Sequence, residues 1–118
     1  MLVIDVIEDK VLISFNEAKR LHSTILKKVE TDLVTYFEKN ISTVILNLQG
    51  IDFIDSESFN LLSEIKKKVK MNNAIFHICN ASIAVLDLIS NIQIACINDI
   101  KNSINYSCLS EVIPVSLN

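Results

Sequence analysis

One glycine, one proline and no tryptophan occur in 118 residues, and each scarcity excludes something. With Gly50 alone, no Gly-rich loop is available to cradle a nucleotide phosphate with backbone N–H groups. With Pro114 alone, near the carboxyl end, no proline-rich linker divides the chain, and no repeat or low-complexity tract does so either. Cysteine is thin as well. Cys79, Cys96 and Cys108 are odd in number, far apart and set in apolar surroundings, without CxxC or Cys/His metal spacing. They read as buried free thiols of a reducing cytosol, which leaves the Asn-x-Ser triplets at Asn40, Asn80 and Asn105 without meaning for glycosylation. Neither a metal nor a cofactor is expected.

Charge of one sign is also lacking. The formal net charge is -3 with no broad basic excess, which argues against nucleic acid as the main partner. The one dense basic cluster, Lys66-Lys67-Lys68 with Lys70, reads as the solvated face of a helix. The amino terminus has no basic n-region, and Asp5 interrupts its apolar run, so no signal peptide is expected. The longest apolar region, Ile83 to Ile97, contains Asp87, Ser90, Asn91 and Gln93 and cannot span a bilayer. A cytoplasmic protein without membrane insertion is the expectation. His22 and His77 are isolated, and neither has a Cys or carboxylate partner at ligand or triad spacing. Asp52 and Asp55, three residues apart in a loop, give no acid/base geometry. An enzyme is not expected.

What is abundant is hydrophobicity, at half of all residues, enough for a single core and one domain. Leu2 to Ile7 and Val11 to Phe15 read as a β-hairpin around Glu8-Asp9-Lys10, though without an Asn-Gly or Asp-Gly turn signal. From Leu21 to about Phe37 the apolar positions 21, 25, 26, 29, 33 and 37 keep helical spacing. Val44 to Leu48 is an almost wholly apolar strand, of the kind covered on both faces of a sheet. A second helix runs from roughly Ser56 to Met71, burying Leu61, Leu62, Ile65 and Val69, and Ala74 to Cys79 is strand again. Asn80 is the expected N-cap of a short helix carrying Ile83, Leu86 and Ile89. Ile94 to Ile97 gives a last strand, and Asp99 an N-cap for a final helix through Ile100 and Ile104. The order β-β-α-β-α-β-α-β-α describes one α/β domain with a mixed, mostly parallel sheet. Its core runs from about 2 to 107, with a tail over about 109–118.

One junction raises a chemical question. In Ile51-Asp-Phe-Ile-Asp-Ser-Glu-Ser-Phe-Asn-Leu-Leu62, four polar residues stand where a buried strand hands over to a helix. In one reading, Asp55 or Ser56 is the helix N-cap, and Glu57 in the first turn suits the helix dipole. In the other, the serine is on display at the carboxyl edge of the sheet, where open α/β folds present their sites. Its hydroxyl is then open to a kinase, and a phosphate there would meet unpaired N–H groups.

The segment Val44-Ile-Leu-Asn-Leu-Gln-Gly-Ile-Asp-Phe-Ile-Asp-Ser56 resembles the central segment of STAS domains, the sulfate-transporter and anti-sigma-factor-antagonist family. The element order from Leu2 to about Ser107 fits that family's fold, and Lys70 to Asn80 with the short helix to Ser90 matches its layout. The resemblance implies a small bacterial regulatory protein that binds an anti-sigma factor with serine-kinase activity and is released by phosphorylation. Carried over by position, Ser56 is the acceptor, with Ser58 a weaker candidate, and Asp55 is its neighbour in the docking loop. The docking face is expected to combine Phe53, Asp55, Ser56, Glu57 and Ser58 with Lys66 on the following helix. Two positions depart from the family pattern. Where it has Ser or Thr and then Gly, this chain has Glu57 and Ser58, so a carboxylate and a side chain stand beside the acceptor. A second reading follows, in which Glu57 acts as a permanent partial phosphate mimic. The domain is then a scaffold of a signalling or transport complex that docks without switching. A receiver domain phosphorylated on Asp55 is disfavoured, because Asp5 lies within the first strand and a hairpin replaces the opening βαβ unit.

Overall fold

The β-branched run Leu2–Ile7 forms β1, and Lys10–Phe15 returns beside it as β2, antiparallel from Leu2↔Phe15 to Ile7↔Lys10. Glu8 closes the two-residue turn in the left-handed region at φ 58°, in place of the glycine usual there. The computed structural model describes residues 2–91 and the strand at 104–105. Alternation along β2 sends Val11, Ile13 and Phe15 to the buried side.

A two-residue strand follows, β3 at Arg20–Leu21, and then helix α1 over Ser23–Phe37. Leu21 therefore precedes the helix instead of opening it, as its spacing to Ile25 had suggested, and His22 occupies the N-cap position with extended backbone. Strand β4, Thr43–Asn47, is buried at every position and lies between β2 and a later strand, parallel to both. The continuous apolar run thus had the physical cause expected, a strand covered on both faces.

Beyond β4 the only glycine, Gly50, takes φ 87°, a conformation that would strain any side chain there. The turn leads into β5, Phe53–Ile54, which pairs parallel with β3 in a separate two-stranded sheet. Helix α2 spans Ser56–Met71 and ends in a Schellman motif. Asn73 adopts φ 60°, its N–H bonds Lys70 O at 3.0 Å, and Ala74 N–H bonds Val69 O at 3.1 Å. Strand β6, Ile75–Cys79, and helix α3, Ile83–Asn91, follow.

Asn80 is not the cap of α3. It sits at φ 57°, and its Nδ2 donates to Asn47 Oδ1 at 3.0 Å, while Ser82 Oγ accepts from Val85 N at 3.1 Å and does the capping. The last strand, β7, is Ile104–Asn105, parallel to β6. Ile104 is therefore strand, not the end of a final helix. The expected strand at 94–97, the capping role of Asp99 and the tail at 109–118 lie outside the described residues.

The main sheet has the order β1-β2-β4-β6-β7, and every pairing except the opening hairpin is parallel. Helices α1 and α2 pack on one face over Val11, Ile13, Val44, Leu46, Phe76 and Ile78. Leu26, Val29 and Leu33 of α1, and Phe59, Leu62, Ile65 and Val69 of α2, complete that core. Leu61, expected inside, is half-buried, and Phe59 takes the central place. This is the mixed α/β architecture expected. Parallel strands bring their carboxyl ends, with the 48–55 loop and the start of α2, to one edge of the sheet.

Candidate functional site

Both readings of Asp-Ser-Glu-Ser meet at the start of α2. Asp55 is the N-cap, extended at φ -83° and ψ 170°, and its Oδ1 accepts from Ser58 N at 2.7 Å. Hydrogen bonding from Ser58 holds the Asp55 carboxyl below the usual carboxylate range, and the positive fields of His22 and Arg20 add to the effect. With the cap supplied by Asp55, Ser56 occupies the first helical position and is exposed, and no hydrogen bond engages its hydroxyl among the described residues.

Ser58 behaves differently. It is fully buried, and its hydroxyl donates to the carbonyl of Leu21 at 3.0 Å. Its side chain turns inward and does not crowd the exposed face, as a side chain in place of glycine was expected to do. The bond ties the first turn of α2 to β3, which itself pairs with β5 immediately before the cap. Asp52 N and Phe53 N add bonds of 2.7 and 3.3 Å to Lys19 O. On the other flank, Ser82 Oγ donates to Ile51 O at 3.2 Å, joining the start of α3 to the same loop.

The exposed side of this edge carries mixed charge. Glu57 lies 4.0 Å from Lys27 Nζ of α1, both largely solvated, so the pair is loose and screened. Phe53 is half-buried, with the Arg20 guanidinium 4.7 Å above its ring, a cation–π contact. Phe53, Asp55, Ser56 and Glu57 are thus gathered at one edge. Lys66, also expected there, lies ten residues along α2, about 15 Å away at 1.5 Å per residue, and is half-buried. Sequence reasoning overlooked Arg20, because no periodicity marks a two-residue strand. It also overlooked Ser82, although a serine three residues before a buried Val85 is itself a capping signal. A cleft of about 430 Å³ opens beside the loop between Phe15, Asn16, Glu17, Lys19, Asn47 and Gly50. Among the described residues no three His, Cys, Asp or Glu side chains converge as a metal site, and no helix is long and apolar enough to cross a membrane.

A strand-loop-helix edge of this kind, on a mostly parallel sheet opened by a hairpin, defines a small α/β domain whose exposed serine sits at a helix start. The STAS domain family model matches residues 6–106, and the chain belongs to that family. Among solved structures it is similar to the anti-sigma factor antagonist SpoIIAA in its unphosphorylated form. The TM-score is 0.75 at 13% identity, covering 95% of this chain and 92% of that one. The Bacillus cell fate determinant SpoIIAA in its phosphorylated form gives 0.70 at 13%, covering 95% and 96%. The murine anion transporter Slc26a9 gives 0.68 at 14%, with 97% of this chain matched to 19% of the transporter. No curated protein matches the sequence.

Proposed function

We propose that the chain is a bacterial regulatory protein acting by binding and not by catalysis. It docks an anti-sigma factor with serine-kinase activity through the edge formed by Phe53, Asp55, Ser56 and Glu57, and phosphorylation of Ser56 ends the interaction. The observation that carries this reading is the division of labour at the start of α2. Asp55 does the capping, Ser58 is enclosed, and Ser56 is left with an exposed hydroxyl at the first helical position. Family membership and the likeness to SpoIIAA in both states support it.

The chemistry is local. A phosphate on Ser56 adds about -1.5 to -2 charge beside the Asp55 and Glu57 carboxylates. The N–H groups of the first turn and the helix dipole favour it, so α2 itself accommodates the modification. A partner surface matched to the neutral hydroxyl then faces uncompensated charge. Calorimetric titration of the purified anti-sigma kinase of the same cell tests this: wild type binds, Ser56→Ala binds but accepts no phosphate, and Ser56→Glu binds weakly or not at all. Equal binding by all three would remove the switch.

A second reading has its own support. Glu57 places a permanent carboxylate beside the acceptor, and a domain of similar fold forms part of an anion transporter. Under it the protein is a non-phosphorylated scaffold in a signalling or transport complex, and Glu57→Ser alters its binding without creating a modified form.

A further inference from the structure

Strand β4 is apolar except at its two ends, and Asn47, at the carboxyl end, is only 9% exposed. Val44 and Leu46 belong to the core under α1 and α2, so alternation turns Ile45 and Asn47 to the other face of the sheet. Ser14 of β2 lies on that same face. It stands one row beyond the last paired row, Ile13↔Leu46, which sets it beside Asn47 on a strand about 4.8 Å away. Both residues line the cleft of about 430 Å³.

Asn47 Oδ1 accepts from Gln49 N and from Asn80 Nδ2, each at 3.0 Å. A backbone N–H can only donate, so the oxygen end of the Asn47 amide is fixed and Nδ2 is the donor end. That Nδ2 has no hydrogen bond among the described residues, and neither has the Ser14 hydroxyl. Polar groups on a side chain nine-tenths buried are nearly always matched, and here the match is an acceptor inside the cleft. Gly50, on the same wall, leaves its backbone open: a Cβ there would meet only Ala18 O, at 3.9 Å. Glu17 and Lys19 stand exposed at the rim, and neither is in an ion pair among the described residues.

These groups select the ligand. The floor asks for oxygen acceptors, and the rim carries one positive and one negative charge. A phosphate dianion would face Glu17 with a single lysine to balance it. A nucleotide base would find no aromatic face, because Phe15 is turned under the helices. A molecule with a carboxylate at one end and an ammonium at the other satisfies both rim charges at once.

We propose that the cleft binds a free α-amino acid. The carboxylate receives Asn47 Nδ2, the Ser14 hydroxyl and the Lys19 ammonium, while the ligand's own ammonium faces Glu17 and its side chain lies toward the open mouth. The site is independent of the Ser56 reading, since Ser14 and Asn47 lie on the face of the sheet away from α2.

NMR titration of the isotope-labelled full chain tests it, with L-alanine, L-glutamine, acetate and inorganic phosphate as probes. Both amino acids produce saturable shifts in the Asn47 side-chain amide and Gly50 N–H signals, with half-saturation at or below about 1 mM. Acetate and phosphate, each lacking the ammonium, bind about tenfold more weakly. Lys19→Ala and Glu17→Ala, both surface changes, each weaken alanine binding about tenfold, through the loss of one charge-assisted hydrogen bond. Asn47→Asp keeps an acceptor for Gln49 and Asn80 but puts a carboxylate oxygen where the donor was, and abolishes binding. Should that variant unfold by far-UV circular dichroism, the two surface variants carry the test. No saturable shift with either amino acid up to about 10 mM, acetate or phosphate as tight as alanine, or affinity unmoved by the surface changes would each overturn the proposal.

Discussion

Ser58→Ala deletes one buried hydroxyl and leaves the Asp55 cap in place, since Asp55 Oδ1 accepts from the Ser58 backbone. What is lost is the 3.0 Å bond to the Leu21 carbonyl, in a site with no solvent exposure to replace it. A buried acceptor deprived of its donor costs about 1–3 kcal/mol, partly offset by the better helix propensity of alanine. The expected net loss is about 1–2 kcal/mol, or roughly 4 °C in Tm per kcal/mol for a domain of this size. Ser58→Gly restores the residue of the family pattern but adds a helix-glycine penalty of about 1 kcal/mol, so it falls below the alanine variant. Ser56→Ala, exposed and without a partner, stays within about 0.5 kcal/mol of wild type. Urea unfolding with a common m-value measures all three. If Ser58→Ala were as stable as wild type, or Ser58→Gly more stable than Ser58→Ala, the bond to β3 would not hold the docking loop as described.

Asp55→Ala removes the cap and costs about 1 kcal/mol at neutral pH, whereas Asp55→Asn, an equally good cap, costs a few tenths. The folded Asp55 carboxyl titrates below its unfolded value of about 3.9, so its contribution is complete above that pH and is lost as pH falls through the folded value. Acid unfolding should therefore be shallower for Asp55→Asn than for wild type, and parallel curves would contradict the assignment. Ser82→Ala removes both the α3 cap and the bond to Ile51 O, for about 1–2 kcal/mol, with hydrogen exchange rising in α3 and in the 48–55 loop together. Exchange confined to α3 would show that the two are not coupled. Lys27→Ala shifts stability by less than about 0.5 kcal/mol, because its pair with Glu57 is solvated and long; a larger loss in a thermal melt would indicate a tighter contact.

Long periodic segments were the legible part of this sequence. Val11, Ile13 and Phe15 alternated as a half-buried strand does, and Leu26, Val29 and Leu33 kept the spacing that α1 buries. Two-residue strands carry no such period, so β3 and β5 were invisible, and Leu21 was absorbed into the helix by its spacing to Ile25. Capping depends on backbone angles as well as residue type. Asn80 has the right side chain but a left-handed backbone, and it serves Asn47, leaving the cap of α3 to Ser82. At the junction, residue types placed the polar cluster correctly but not its partners. Helical spacing from Leu62, Ile65 and Val69 back to Ser58 puts that serine on the inward stripe of α2, but the carbonyl that receives its hydroxyl lies 37 residues away, at a two-residue strand with no period to announce it.

The central claim is that Ser56 is an exposed acceptor whose modification switches a docking edge. Phosphopeptide mapping by mass spectrometry, on the protein recovered from its own cell under resting and stressed conditions, tests it most directly. The expected result is a phosphate on Ser56, never on Ser58, with an occupancy that changes between the two conditions and vanishes in Ser56→Ala. A chain unmodified in both conditions, or modified at Ser58, would contradict it.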